Sequence, residues 1–111
     1  MRILWVENHL IFAHVAGRQF LASHEVLIVP TIAEARKVLK TEMFDVVLLD
    51  YDLDDGKGTE LVKEIKQFQN VALIAVSSHT EGNNLLKSAG ADHSCTKLHF
   101  HEIAKVISSV T

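Results

Sequence analysis

Four carboxylates, those of Asp50, Asp52, Asp54 and Asp55, fall within six residues of this chain, and the first of them ends an apolar run, Val46 to Leu49. Like charges this close raise one another's pKa unless a cation neutralises them. Oxygen ligands with no cysteine or histidine interleaved suit Mg2+ or Mn2+, since hard cations prefer carboxylates, carbonyls and water. A second apolar run, Ile3 to Val6, stops at Glu7 and Asn8, one anion and one neutral oxygen available to the same ion. A carboxylate beside a divalent ion has a further use, as a nucleophile toward a phosphoryl group. The transferring oxygens then need an ammonium and a hydroxyl to complete their neutralisation. Lys97 and Ser77 have those chemistries and also follow apolar runs. The constellation reads as Asp50 the nucleophile, Glu7, Asn8 and the Asp52 backbone around a metal, and Ser77 with Lys97 as oxygen partners. Asp54 and Asp55, placed before Gly56, read as turn formers outside the site.

Such a site requires strands that end at one rim. Short β-rich runs recur along the chain: Ile3–Val6, Val26–Val29, Val46–Leu49, Val71–Val76 and a weaker one around His93–Thr96. Most are too continuous to be half-exposed, which predicts a parallel sheet covered on both faces. Helical spacing fills the intervals. The first helix, about His9–Ala22, places Leu10, Ala13, Phe20 and Leu21 toward one side; the second opens on the capping box Thr31 to Glu34. The third, about Thr59–Phe68, directs Leu61, Val62, Ile65 and Phe68 inward, and the fifth, about His101–Val110, offers Ile103, Val106, Ile107 and Val110. The fourth, about Glu81–Ser88, contains Gly82, Asn83 and Asn84, poor helix formers, and is expected to be the least stable. Five strand and helix units in alternation predict an α/β fold, a doubly wound sandwich with right-handed crossovers. In such sheets ligands sit beyond the carboxyl ends of the strands, where the candidate residues lie.

Composition narrows the partners. At 111 residues the chain is expected to be a single domain, residues 1 to 111, with no room for a separate catalytic or output domain. Hydrophobic residues at 48% and a single proline argue for a packed globule. Net charge is −3 with the basic residues scattered, so direct nucleic-acid binding is not expected. No apolar run approaches the roughly 20 residues of a membrane helix. One cysteine, Cys95, and no cleavable signal pattern point to a reducing cytoplasm. Cys95 and Trp5 read as core residues, the indole N–H needing a partner, and the seven histidines mostly as surface groups.

Over its whole length the sequence resembles the receiver domain of two-component response regulators. The resemblance rests on Ile3 to Asn8, on Val46 to Asp50, on Gly58, on Ala75 to Ser78, and on Gly90-Ala91-Asp92 followed by Thr96-Lys97, five separated matches in the family's order. It implies a flavodoxin-like five-stranded parallel sheet of order 2-1-3-4-5 with five helices. It also implies Mg2+-dependent phosphorylation of Asp50 by a histidine kinase or phosphotransfer protein. A shift of the fourth helix and its flanking loops would follow, signalling to a downstream effector through the surface of helix four, strand five and helix five. On this reading the chain catalyses its own phosphoryl transfer and is no conventional enzyme; whether it dimerises is left open.

Three positions depart from the family's pattern. Asn8 stands where a second acid usually binds the metal, which predicts weaker Mg2+ binding, with the longer Glu7 reaching inward as partial compensation. Leu98 replaces the proline that commonly follows the lysine, so no cis peptide is expected there, and Ser94 occupies the aromatic switch position. These departures motivate an alternative: a pseudo-receiver that binds protein without being phosphorylated. A phosphatase of the haloacid dehalogenase type is disfavoured, because too little chain follows Asp52.

Overall fold

The computed structural model describes all 111 residues. Its parallel sheet comprises β1 (Arg2–Val6), β2 (Glu25–Val29), β3 (Val46–Leu49), β6 (Ala72–Ala75) and β7 (His93–Ser94), in the spatial order β2-β1-β3-β6-β7. Counting only these five strands, that is 2-1-3-4-5. A short antiparallel hairpin, β4 (Asp52–Leu53) and β5 (Gly56–Lys57), stands apart from the sheet just beyond Asp50. Five helices connect the strands: α1 (Leu10–Phe20), α2 (Ile32–Thr41), α3 (Thr59–Phe68), α4 (Thr80–Ala89) and α5 (Ile103–Val110), the last entered through a 3-10 segment, Lys97–Glu102. No helix is long and apolar enough to cross a membrane.

Apolar runs are continuous because successive residues of a strand feed opposite cores. In β1, Leu4 and Val6 join α2, α3 and α4 through Leu39, Leu61, Ile65 and Leu86, whereas Ile3 and Trp5 join α1 and α5 through Ala13, Ile103 and Ile107. Trp5 stacks on Phe100 at 4.8 Å between ring centroids, with Phe12 edge-on. Its indole Nε1 finds no hydrogen-bond partner, so the anticipated acceptor is absent and the ring is held by apolar and aromatic packing. Cys95 is buried, and desolvation raises its thiol to about 11.

Two side chains expected to face inward do not. Leu10 opens α1 at the rim, past the carboxyl edge of the sheet, and Phe68 closes α3 at the opposite end, so both are exposed despite correct helical phase. The last strand shrinks to His93–Ser94, and α4 forms a full ten residues. Two of its three weak formers, Gly82 and Asn83, are buried tertiary contacts, while Asn84 is exposed. Asn83 is buried with Oδ1 accepting the Ser77 N–H at 2.9 Å, and a Cβ on Gly82 would sit 2.7 Å from the Ser77 hydroxyl oxygen. Poor propensity is thus exchanged for close packing against the site.

Candidate functional site

Parallel pairing brings the strand ends into line. The Asp50 N–H donates to Val6 O at 3.0 Å, the Val76 N–H to Leu49 O at 2.9 Å, and the Lys97 N–H to Ser77 O at 3.1 Å. Glu7, Asp50, Ser77 and Lys97 therefore stand side by side along one edge, on four neighbouring segments. Main-chain ladders, which are indifferent to side-chain identity, do this positioning.

Two of the predicted roles meet directly. The Lys97 ammonium is 2.9 Å from both Glu7 oxygens and 3.1 Å from Asp50 Oδ2. It approaches over the Phe12 ring, at 5.5 Å from the centroid. Asp50 is buried, and its Oδ1 accepts the Tyr51 N–H at 2.8 Å. Glu7 has no exposed surface, and its Oε2 also accepts the His9 N–H at 3.0 Å. The lysine thus stands between two carboxylates that would otherwise repel across the rim, and offsets one of their two charges. The Lys97–Leu98 peptide is trans.

Ser77 is alongside but turned another way. Its hydroxyl oxygen accepts the His79 N–H at 3.3 Å and borders a cavity of about 220 Å3 with Tyr51, Asp52, Lys57 and Gly82. It makes no hydrogen bond to Asp50. The Asp52 side chain is exposed and pairs with Lys57, leaving only its backbone for the role assigned to it. Asn8 donates from Nδ2 to Asp54 Oδ1 at 3.2 Å, while its Oδ1 is sealed from solvent without a partner. Glu7 Oε1 likewise accepts no well-aligned hydrogen bond, although Lys97 is near.

An ion test follows from these donors. Glu7, Asp50, the unpartnered Asn8 Oδ1 and the Asp52 carbonyl are all oxygens, the set that a hard divalent cation takes. No three acidic, histidine or cysteine side chains converge on one point, so such an ion would keep much of its water. The donors fit Mg2+ better than a metal demanding a full protein cage.

Asp55 has a structural role that turn chemistry did not suggest. Its oxygens accept the Ile32 and Ala33 N–H groups at 2.8 and 3.1 Å, capping α2 beside the Thr31 hydroxyl, which accepts the Glu34 N–H at 3.1 Å. The Ile32 hydrogen bond is the main reason its pKa falls below the usual carboxylate value. A cap reaching across more than twenty residues leaves no local pattern in sequence.

Burial raises the Glu7 carboxyl to about 7; Lys97 opposes the rise and Asp50 adds to it. The ordinary value is 4.5, so between the two the native state holds a proton that the unfolded chain has released. Stability tied to Glu7 is complete below about 4.5 and is lost as pH rises through about 7. A displacement of this size is worth about 3 kcal/mol. Urea unfolding in a chelator should therefore show stability declining by about 2–3 kcal/mol from about pH 5 to pH 8. Glu7→Gln should flatten the decline; an equally steep loss in that variant would assign it to another group.

A family model for the response regulator receiver domain matches residues 3–107. The chain belongs to the response regulator receiver family. Among curated proteins it is 34% identical over 64 residues to stress response regulator protein 1 of Scheffersomyces stipitis, a match spanning 53% of this chain and 22% of that protein. The receiver domain from Methanospirillum hungatei JF-1, described as CheY-like, superposes with a TM-score of 0.85 at 25% identity, covering 97% of this chain and 90% of that one. A response regulator from Burkholderia pseudomallei, solved with a phosphorylated aspartic acid, calcium ion and citrate, gives 0.83 at 19% identity, covering 96% and 65%. Receivers are signalling modules rather than conventional enzymes, and this receiver has the family's parallel sheet.

The largest cavity in the receiver, about 530 Å3, is not over Asp50. It runs between α1 and the 3-10 segment, lined by Phe12, Val15, Phe20, Lys97, Leu98 and Phe100. Ile11 and Leu98 on its margins are 84% and 81% exposed. Sequence periodicity places neither residue in the core and marks no surface patch there.

Proposed function

We propose that this receiver accepts a phosphoryl group on Asp50 and signals by contact with another protein. The observation that carries the reading is the Lys97 ammonium bridging buried Glu7 and Asp50, a paired charge costly to maintain unless the rim has work for it. The donor is a phosphohistidine on a sensor kinase or phosphotransfer protein. An Asp50 oxygen attacks phosphorus, the new O–P bond forms as the N–P bond breaks, and imidazole leaves with the electron pair. The Tyr51 N–H holds one carboxylate oxygen, so that the nucleophile is oriented before reaction. Lys97, already at the other oxygen, is placed to follow the charge onto the phosphoryl group, and Ser77 can rotate its hydroxyl toward it. A divalent ion, when bound, supplies further neutralisation of the phosphoryl oxygens; Glu7, Asn8, Asp50 and the Asp52 carbonyl would hold it.

Output runs through α4, whose Gly82 and Asn83 touch Ser77 directly. The α4, β7 and α5 surface meets the effector, and self-association there is compatible with the same role. The setting is cytoplasmic, consistent with the free thiol at Cys95. The second reading, a pseudo-receiver, draws on Asn8 and Ser94 and on a lysine already shared by two carboxylates. Incubation with phosphoramidate or acetyl phosphate and Mg2+, followed by intact mass, separates the two. One phosphoryl increment, absent from Asp50→Asn, is expected; no increment with any donor would establish the pseudo-receiver instead.

A further inference from the structure

Of the acids at the rim, all but one are already spoken for. Lys97 is shared between Glu7 and Asp50. Lys57 takes the Asp52 side chain, and Asp55 spends both oxygens on the first amides of α2. Asp54 forms no ion pair; its one side-chain hydrogen bond is from Asn8 Nδ2, at 3.2 Å. The neighbouring amide oxygen, Asn8 Oδ1, is closed off from solvent and accepts nothing, and fully buried Glu7 has an oxygen without a well-aligned donor. An uncompensated carboxylate is thus tied to the residue that departs from the family's acidic pattern.

Charge makes the tie consequential. Two carboxylates and one ammonium leave a single net negative charge at the rim, little to draw a divalent ion out of water. Asn8 offers the ion an oxygen but no charge. Asp54 offers a charge, yet it does not close on one point with Glu7 and Asp50, so it is no direct ligand. Mg2+ and Mn2+ keep several waters in sites of this kind, and a carboxylate beyond those waters still attracts the ion.

We infer that Asp54 supplies, through the water shell of a divalent cation, the negative charge that Asn8 lacks. The inference deepens the metal role proposed above and rests on it. Asparagine at position 54 preserves an acceptor for Asn8 Nδ2, so Asp54→Asn removes charge with little change of shape.

The full chain, freed of metal and unphosphorylated, is titrated with Mn2+ by the loss of the free-ion electron paramagnetic resonance signal, with Mg2+ as competitor. Asp54→Asn should weaken both ions about fivefold at low ionic strength, an effect falling toward about twofold near 0.5 M salt as screening shortens the range. Glu25→Gln, the same charge change at the opposite end of the sheet, should alter affinity by less than about 1.5-fold. The count of waters on bound Mn2+, read by pulsed spectroscopy, should be equal in wild type and Asp54→Asn. If Asp54→Asn binds as wild type does, or no worse than Glu25→Gln, the inference is overturned while the metal site stands. A gained water would overturn it too, by making Asp54 a direct ligand. Absence of saturable Mn2+ binding in the wild type would sink the inference together with the metal role.

Discussion

Gly58→Ala should cost this receiver about 3 kcal/mol or more of stability, and the surviving folded fraction should take up phosphoryl groups poorly. A Cβ at position 58 would be driven into the Asp50 carbonyl oxygen and would lie 3.1 Å from its carbonyl carbon, with Leu49 Cγ at 3.3 Å. Main chain cannot rotate aside as a flexible side chain can. Relief requires either moving the peptide that follows β3 or breaking the hydrogen bond from the Gly58 N–H to Tyr51 O, 2.6 Å long. Both displace Asp50 and the Tyr51 amide that orients it. Chemical denaturation measures the first effect and intact mass after incubation with a phosphodonor the second. Gly17→Ala is the contrast, because a Cβ there meets nothing closer than Trp5 at 4.0 Å, and helix propensity should stabilise it by about 0.5–1 kcal/mol. Equal stability of Gly58→Ala and wild type would mean that β3 and α3 are not packed this closely.

Lys97→Met has the second large expected effect, and its size should depend on pH. Removing one partner from a buried ion pair costs about 3–5 kcal/mol, because the remaining charge is left in a poor solvent. Here two carboxylates remain, and burial has already raised Glu7 to about 7. Near about pH 5.5 Glu7 is already protonated, so only Asp50 is stranded and the loss should be about 3 kcal/mol, against about 5 kcal/mol near pH 8, where both carboxylates are charged. Adding Glu7→Gln to Lys97→Met should recover most of the difference at the higher pH. A loss independent of pH would show that Lys97 is not what neutralises Glu7. Phosphoryl transfer should be slowed at both pH values, since no ammonium then faces the transferring oxygens.

Much of the rim was legible from strand ends alone. The runs ending at Glu7, Asp50 and Ser77 become β1, β3 and β6 plus at most two residues, and β-ladder pairing lines their ends up whatever the side chains are. The Thr31 cap was legible too, since hydroxyl and amide lie within one helical turn. Asp54 and Asp55 do form the turn between β4 and β5, as their types suggest, but turn chemistry does not say what their side chains reach. Asp55 serves α2 and Asp54 touches Asn8, contacts made by a hairpin folding back over the rim. The weak helix propensity of Gly82 and Asn83 is legible in the sequence, but what offsets it, close contact with Ser77 and Tyr51, is invisible to a local propensity.

The chain's order of apolar runs and breaks determined by itself the parallel sheet, the two cores and the identity of the residues delivered to the carboxyl edge. Hydrophobic periodicity acts over a few residues and is written in adjacent letters. Tertiary structure alone decided how charge is shared at that edge: Lys97 reaches Glu7 across 90 positions, Asp52 goes to Lys57, and Asp54 is left with Asn8. Such pairings turn on ångström separations and on burial, because Coulomb energy varies inversely with both distance and local dielectric, and neither quantity can be read along the chain.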